Sequence, residues 1–540
     1  MHEGGSSSAL NTVRWIGLFA GPALALLTYA LLTPAETETA GVLTEPARRV
    51  AAVTVWMATW WLTEALPLAA TALVPVAVMP LLGVMPVKDV AAPYASDIIF
   101  LFAGGLLLGI AMERWGLHRR IALITISIVG TRPNMLVGGF MLATAVMSAW
   151  VSNTATAVMM LPIALSVITL VFNRLSSGEE VGEGGALHEV TAGAPGRNFA
   201  LCLLLGVAYA ASIGGIATLI GTPPNALLAQ FVKNTAGIDM TFGLWLRIGL
   251  PFVIIFLPLT WLILTRLLFP IQIEEVPGGR EFILGELRSL GRMSAGEWGT
   301  FVIFCLAALL WVREPLLQIA QWVLRSAGAE VDVGSGLVGL ASTRLSDAGI
   351  AVIAALLLFV VPVNPRRREF VMDWAHASRL PIEILVLFGG GLALAAAISA
   401  TGLDAYIGSL FGILGGVPPL LIVLVVVGVM IFLTELTSNT AVTATFLPIL
   451  FAASHRLEVH PFLLLIPSTI AASCAFMLPM ATPPNALVFA SGHVTIPLMA
   501  RAGLLLNLAG VVVATLLVYT LGGWLLGIDL MAPMANPAAD

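Results

Sequence analysis

Charge is what this chain lacks first. Only 10% of its 540 residues are Asp, Glu, Lys or Arg, while 59% are hydrophobic and the mean hydropathy is +0.99. A soluble protein carries roughly 25% charged residues, so a soluble globular domain is excluded. Lysine is nearly missing, with Lys88 and Lys233 alone, and arginine is left to mark topology. Cysteine is scarce as well. Cys202, Cys305 and Cys474 lie in apolar runs, an odd set without a disulfide framework or metal spacing, and read as small core residues. The alternating strands of a membrane barrel do not appear. Neither do GxGxxG, P-loop or nucleophile-elbow patterns in a usable context. The scattered histidines, such as His118 and His188, fall in expected loops without ligand spacing. Nothing here points to an enzyme or to a nucleic-acid partner.

Apolar runs of about 17–25 residues recur instead, the length a bilayer-spanning helix needs. The chain reads as an all-α polytopic membrane protein. The apolar run from Trp15 to Leu32 after Arg14 is long for a signal peptide and reads as a retained first helix. Further helices are expected near 48–65, 68–84, 97–113, 246–269, 298–324, 346–363, 381–400 and 499–527. Broken helices are expected near 199–232 and 461–492. That makes about 11 transmembrane helices.

The chain says things twice. "FLFAGGLLLGIAMERWGL" (100–117) is similar to "VLFGGGLALAAAISATGL" (386–403). Phe102 matches Phe388, 286 residues on, and the same shift carries Ser152-Asn153-Thr154 to Ser438-Asn439-Thr440 and Pro162 to Pro448. "YAASIGGIATLIGTPPNALL" (209–228) then matches "IAASCAFMLPMATPPNALV" (470–488), with Thr222 and Thr482 260 apart. The arms around each SNT span about 20 residues or fewer and predict two re-entrant helical hairpins with SNT at the tip. Irregular backbone at membrane depth is tolerated only inside protein or beside a cavity. A hairpin that enters and leaves on one side gives the halves opposite orientations, so the repeats are inverted. Arginine then concentrates on one face, with Arg119, Arg120, Arg132, Arg280, Arg288, Arg292 and Arg366-Arg367-Arg368. The positive-inside rule puts that face and the N-terminus in the cytoplasm and the C-terminus outside.

No Asp, Glu, Lys or Arg occurs in 133–173, 198–232 or 459–500, and near the second SNT only Glu435 is charged. A site built from these segments binds with hydroxyls, amides and backbone alone. Ser, Thr and Asn oxygens with freed carbonyls suit Na+; exposed N–H groups at a helix start suit an anion. Pro223-Pro224 and Pro483-Pro484 make the breaks. Ser148 lies four residues before Ser152, and Thr434 four before Ser438, so each pair faces one side of a helix. Each half therefore offers a hydroxyl pair, an Asn and a nearby carbonyl. The two matched half-sites suggest two cations and an anion with two charged ends. No basic residue balances that anion, and an unpaired dianion in low dielectric is very costly. Bound Na+ would offset it and would make transport obligatorily coupled. Glu435 reads either as a structural acid or as a group near the cation; Asp97 and Glu64 read as helix-end residues.

These motifs, with "WWLTEALPLAATALVPVAVMPLLGV" (60–84) and "LFGGGLALAAAISATGL" (387–403), resemble the divalent anion/sodium symporters over about 46–527. The resemblance implies a homodimer in which a transport domain moves against a scaffold as an elevator. It divides the chain into an N-terminal segment with the first helix (1–45), scaffold (46–132), transport (133–270, with hairpin 133–172 and broken helix 198–232), linker helix and scaffold (271–403), transport (404–528, with hairpin 417–453 and broken helix 461–492) and a tail (529–540). It implies one sodium site at Ser148, Ser152, Asn153 and the Gly221 carbonyl. A second would lie at Thr434, Ser438, Asn439 and the Ala481 carbonyl. Substrate would meet Asn153, Thr154, Asn439 and Thr440, with Thr222, Thr482 and Pro483 completing the pocket. The implied activity is sodium-coupled import of C4-dicarboxylates such as succinate across a bacterial inner membrane, with no cofactor beyond Na+ as coupling ion. Sulfate or citrate carriage, anion exchange, a cation/proton antiporter and a channel or receptor are the rival readings. The loops 174–197 and 325–345 are long and carry no obvious chemistry.

Overall fold

A computed structural model describes residues 4–34, 43–129, 132–175, 196–273, 279–313, 316–317, 345–411 and 416–533. Among the described residues the chain is helical except for a two-stranded antiparallel ribbon, β1 Pro362–Asn364 and β2 Glu369–Phe370. Seven helices are long and apolar enough to cross a membrane: Thr12–Leu31, Val87–Trp115, Asn153–Phe172, Arg197–Gly215, Phe242–Leu268, Ile382–Ala400 and Ile496–Leu526. Shorter apolar helices stand beside them, including Pro133–Ser148, Ala295–Trp311, Asp347–Val360, Pro419–Thr434 and Phe462–Ala472. The expected span near 48–65 is the helix Glu45–Thr63, which carries Glu45, Arg48 and Arg49 in its first turns. The one expected near 68–84 is interrupted, as Leu68–Thr71 and Val74–Leu81. Pro75 near the start of the second piece has no N–H to continue the first. Of the helix expected at 298–324, Ala295–Trp311 is present. Most of its remainder, and nearly all of the loops 174–197 and 325–345, lie outside the described residues.

The repeat is visible in the packing. Phe102 and Phe388, matched in sequence, meet edge to face at 5.1 Å. The axis relating the halves therefore passes between them. Their two helices run in opposite directions: Glu113 and Arg114, late in Asp97–Trp115, share a cavity wall with Arg379 and Pro381, just before Ile382–Ala400. Close approach here needs residues without side chains. A Cβ on Gly104 would lie 2.6 Å from the Ala351 carbonyl oxygen, and one on the matched Gly390 would collide with Ala72.

Three features exceed the sequence reading. Leu117–Val129 and Leu403–Leu410 are short helices, each entered through a left-handed glycine, Gly116 (φ 72°) and Gly402 (φ 71°). His118 is thus helical, with Nδ1 2.8 Å from the Met112 carbonyl. The last helix of each half passes into a π-helical segment, Ile263–Leu268 and Leu517–Gly522. Finally, Leu117–Val129 is riveted to the start of Ala295–Trp311 by Arg120. Its Nε donates to Glu297 Oε1 at 2.7 Å and its Nη1 to the Gly291 carbonyl at 3.0 Å. Glu297 also completes a capping box with Ser294 at the start of Ala295–Trp311.

The Arg120–Glu297 pair is buried, and breaking one side of such a pair leaves a charge without a partner. Arg120→Ala is expected to cost about 3 kcal/mol, read as a lower melting temperature of the detergent-solubilised protein. An unchanged melting temperature would show that the pair does not hold this joint.

Candidate functional site

Eight helix ends meet at the centre of the molecule. Pro133–Ser148 and Pro419–Thr434 stop just before the SNT motifs, and Asn153–Leu175 and Asn439–Arg456 start within them. The broken helices stop at Gly215 and Ala472 and resume at Pro223 and Pro483. Proline suits a first helical turn, where its missing N–H has no partner to lose. Thr222 (φ −147°, ψ 143°) and Thr482 (φ −143°, ψ 148°) are extended in the same way just before those turns.

The unwound stretches need their freed carbonyls satisfied, and the asparagines of the two TPPN motifs do this. Asn225 Nδ2 donates to the carbonyls of Gly215 (3.1 Å) and Thr218 (2.7 Å). Asn485 Nδ2 donates to those of Ala475 (3.2 Å) and Leu478 (3.1 Å). The sequence shows these asparagines in both copies, yet their clamping role needs the folded backbone. Glycine is required at Gly215, where a Cβ would sit 2.5 Å from Asn153 Oδ1 and 3.1 Å from the Gly221 carbonyl oxygen.

The second half has an additional clamp. Glu435 is buried, and its Oε1 accepts from the N–H groups of Phe476 (2.6 Å) and Met477 (2.8 Å) and from Asn507 Nδ2 (2.8 Å). Its Oε2 accepts from Leu478 N–H at 3.1 Å. The carboxylate thus pins the stretch that leads to Ala481 and Thr482. In the first half the matched residue is Ala149, whose carbonyl takes the Thr218 hydroxyl at 2.5 Å. Of the two readings of Glu435, the hydrogen bonds describe a structural acid.

A cavity of about 510 Å³ lies between the helix ends. Ser152, Asn153, Thr154, Gly221, Thr222, Ser438, Asn439, Thr440, Ala481, Thr482 and Pro483 all line it. Of the site residues named from sequence, only Ser148 and Thr434 are absent from its wall. They lie one layer deeper, fully buried. Ser148 Oγ is 2.6 Å from Asn153 Oδ1 and 2.6 Å from the Ala211 carbonyl oxygen. Thr434 Oγ1 is 2.5 Å from Asn439 Oδ1 and 3.1 Å from that of Ala472. A hydroxyl has one proton to donate, so each cluster holds three oxygens with more lone pairs than protons. The Ala211 and Ala472 carbonyls were not singled out from sequence, although the repeated "AAS" at 210–212 and 471–473 marks them.

The cavity wall also carries Arg14 and Glu64, joined by an ion pair of 3.1 Å. The four helix starts at Asn153, Pro223, Asn439 and Pro483 bring no basic side chain to it. All four present the positive end of a helix dipole; Asn153 and Asn439 also bring backbone N–H groups, whereas Pro223-Pro224 and Pro483-Pro484 have none and the N–H groups of Asn225 and Asn485 are taken by Thr222 and Thr482. The halves differ in cover. Trp150, before the first SNT, stacks on Phe242 (5.8 Å) and meets Phe304 edge to face (4.9 Å), while the matched Leu436 is 67% exposed. Ile220 is buried, while its match Met480 is 60% exposed.

A family model described as "Sodium:sulfate symporter transmembrane region" matches residues 13–528. The sodium-dependent dicarboxylate transporter SdcS of Staphylococcus saprophyticus is 40% identical over 530 residues, covering 98% of this chain and 95% of its own. The SdcS protein of Staphylococcus aureus is 40% identical over 527 residues, covering 97% and 94%. Among solved structures, the YdaH transporter of Alcanivorax borkumensis superposes with a TM-score of 0.52 at 14% identity, over 97% of this chain and 99% of that one. MtrF of Neisseria gonorrhoeae gives 0.53 at 13%, over 97% and 100%. These two likenesses concern the fold alone. The family model runs through both repeats, and the SdcS relatives align along nearly their whole length; this chain is an integral membrane transporter of the divalent anion/sodium symporter family.

Proposed function

We propose that the protein is a sodium-coupled symporter that carries C4-dicarboxylates such as succinate into the cell. One observation carries the reading: two matched, proton-poor oxygen clusters lie directly behind four helix starts that face a single cavity. The oxygen clusters suit a small hard cation, and the helix starts suit carboxylate groups. One Na+ sits with Ser148, Ser152, Asn153 and the Gly221 carbonyl. The other sits with Thr434, Ser438, Asn439 and the Ala481 carbonyl. One substrate carboxylate meets Asn153 and Thr154 and the other Asn439 and Thr440, between Thr222, Thr482 and Pro483. The names of the SdcS relatives support both the ion and the substrate class.

Alternating access follows from a transport domain, 133–270 with 404–528, sliding as an elevator against a scaffold paired as a homodimer. In this reading the SNT arms are re-entrant, the membrane is the bacterial inner membrane, and the arginine-rich face is cytoplasmic. Sulfate or citrate on the same machinery is the nearest rival. An antiporter normally needs a carboxylate at the broken helices. Glu435 is saturated by four donors and absent from the cavity wall, which disfavours that reading.

Uptake of labelled succinate into proteoliposomes tests the proposal. Uptake is expected with an inward Na+ gradient and not with an equal K+ gradient; uptake of sulfate or citrate instead would reassign the substrate. Asn153→Ala and Asn439→Ala are each expected to lower the initial rate at least about tenfold, since each removes an oxygen from a cluster and an amide from the cavity. Full uptake in both would move the site elsewhere. Ser438→Ala is expected to raise the half-saturating Na+ severalfold while leaving the ranking of competing anions in place. Glu435→Gln turns an acceptor facing Leu478 N–H into a donor, a mismatch of about 1–3 kcal/mol. A lower melting temperature with uptake recovered at high Na+ is the expected result, and an unchanged melting temperature would contradict the clamp.

A further inference from the structure

The wall of the central cavity and the adjoining cavities hold Arg14, Glu64, Glu113, Arg114, Arg379 and Glu383. Glu113 and Arg114 end the helix Asp97–Trp115, and Glu383 begins Ile382–Ala400. Asp97 starts the first of these helices, so at 1.5 Å per residue it lies about 24 Å from Glu113, toward the opposite face. There it pairs with Lys233, in the last turn of the TPPN helix Pro223–Ala236. Asp239, in the turn that follows, lies 3.4 Å from the same ammonium. A few residues on, Phe242 N–H donates to Asp347 Oδ2 at 2.7 Å, and Asp347 is held by Arg313 at 3.0 Å. These ties join the element that carries Gly221 and Thr222 to the helices at 97 and 347. In the elevator reading these belong to different domains.

The repeat repeats the charges. The shift of 286 that relates the SNT motifs carries Asp97 to Glu383, and the shift of 260 that relates the TPPN motifs carries Lys233 to His493. The second TPPN helix ends earlier, at Ala490, so His493 sits in the turn beyond it. Its Nδ1 lies 2.9 Å from the Ser491 carbonyl and its Nε2 is buried without a hydrogen-bond partner. Among the described residues Glu383 makes no ion pair, and it lines a neighbouring cavity with Arg14, Glu64 and Thr440. One acid–base pair is closed at the Asp97 end of these helices, and its counterpart, whose acid lies toward the Glu113 end, makes no ion pair among the described residues.

We infer that Lys233 with Asp97 and Asp239 is an ionic latch that shuts one face of the transporter, and that Glu383 with His493 is the reciprocal latch that shuts the other. The inference rests on the alternating-access part of the proposed function. In each cycle one latch breaks as the other forms. Lys233 and Asp97 are both partly exposed, with side chains 35% and 41% accessible. Such pairs shift an equilibrium by about two- to fivefold rather than fixing it, which suits a contact that must open repeatedly.

The test reads how often the latched face opens. Met240, beside Asp239, is buried, and Met240→Cys in a Cys305→Ser background reports opening through its rate of labelling by a fluorescent maleimide. The full-length protein is labelled in detergent without substrate, so failure here leaves the dicarboxylate reading untouched, and failed uptake leaves this readout intact. Lys233→Gln and Asp97→Asn are each expected to raise the labelling rate two- to fivefold. Lys233→Arg, which keeps a cation facing both carboxylates, should stay close to the parent rate. Glu383→Gln should lower the rate by weakening the opposite closed state. Parent rates in both Lys233→Gln and Asp97→Asn, or Lys233→Arg as fast as Lys233→Gln, would overturn the latch. No change with Glu383→Gln would overturn its reciprocal half.

Discussion

The proposed function depends on binding opposite charges at helix ends whose own motifs carry no opposite side-chain charge. The SNT and TPPN motifs that line the central cavity carry no charged residue; Arg14 on its wall is paired with Glu64, and Glu435 is used internally. Ordinary ion pairing is therefore closed to the site. What remains is the polarity of helix ends. Four helices start at the cavity and four stop beside it, so N–H groups and carbonyls are sorted to different places a few ångströms apart. Side-chain oxygens of Ser148, Asn153, Thr434 and Asn439 then sharpen the carbonyl side into two oxygen clusters. An anion in front of these clusters and cations within them stabilise each other, and neither does well alone. Coupling is then a consequence of charge balance rather than a separate device.

Broken helices exact a cost in unpaired backbone, and the chain meets it twice in similar ways. Asn225 and Asn485 take up the carbonyls of the unwound stretches. The supports differ between halves, with a Thr218 hydroxyl in one and the Glu435 carboxylate with Asn507 in the other. The halves also differ in cover: Trp150 and Ile220 are packed away, whereas Leu436 and Met480 are bare. Two halves alike in ligands and unlike in burial are what the proposed alternating access requires of any single arrangement.

Much of this was legible in the sequence. The shift of 286 residues carried the SNT motifs, and eleven of the thirteen named site residues line one cavity. The other two, Ser148 and Thr434, sit directly behind it. Repetition made this possible, because a polar triplet written twice in an apolar chain has few cheap explanations. The sequence was less informative where the answer depends on what one segment does to another. Glu435 stayed ambiguous because its partners are backbone N–H groups some forty residues away, which leave no trace in residue identity. Leu117–Val129 and Leu403–Leu410 were missed because short amphipathic helices beside long apolar ones look like loop. The break near Ala72 was missed because its apolar run is unbroken in composition even though Pro75 interrupts the backbone. The ion pair of Asp97 with Lys233 was hidden for a similar reason: 136 residues separate its partners.

The central claim is that sodium neutralises an anion which the protein itself leaves unbalanced. Its most direct measurement is equilibrium binding of labelled succinate to the purified protein, with Na+ replaced stepwise by choline at constant ionic strength and no membrane gradient. The account predicts that binding rises steeply with Na+ and is lost in choline. Equal affinity for succinate in the absence of Na+ would contradict it.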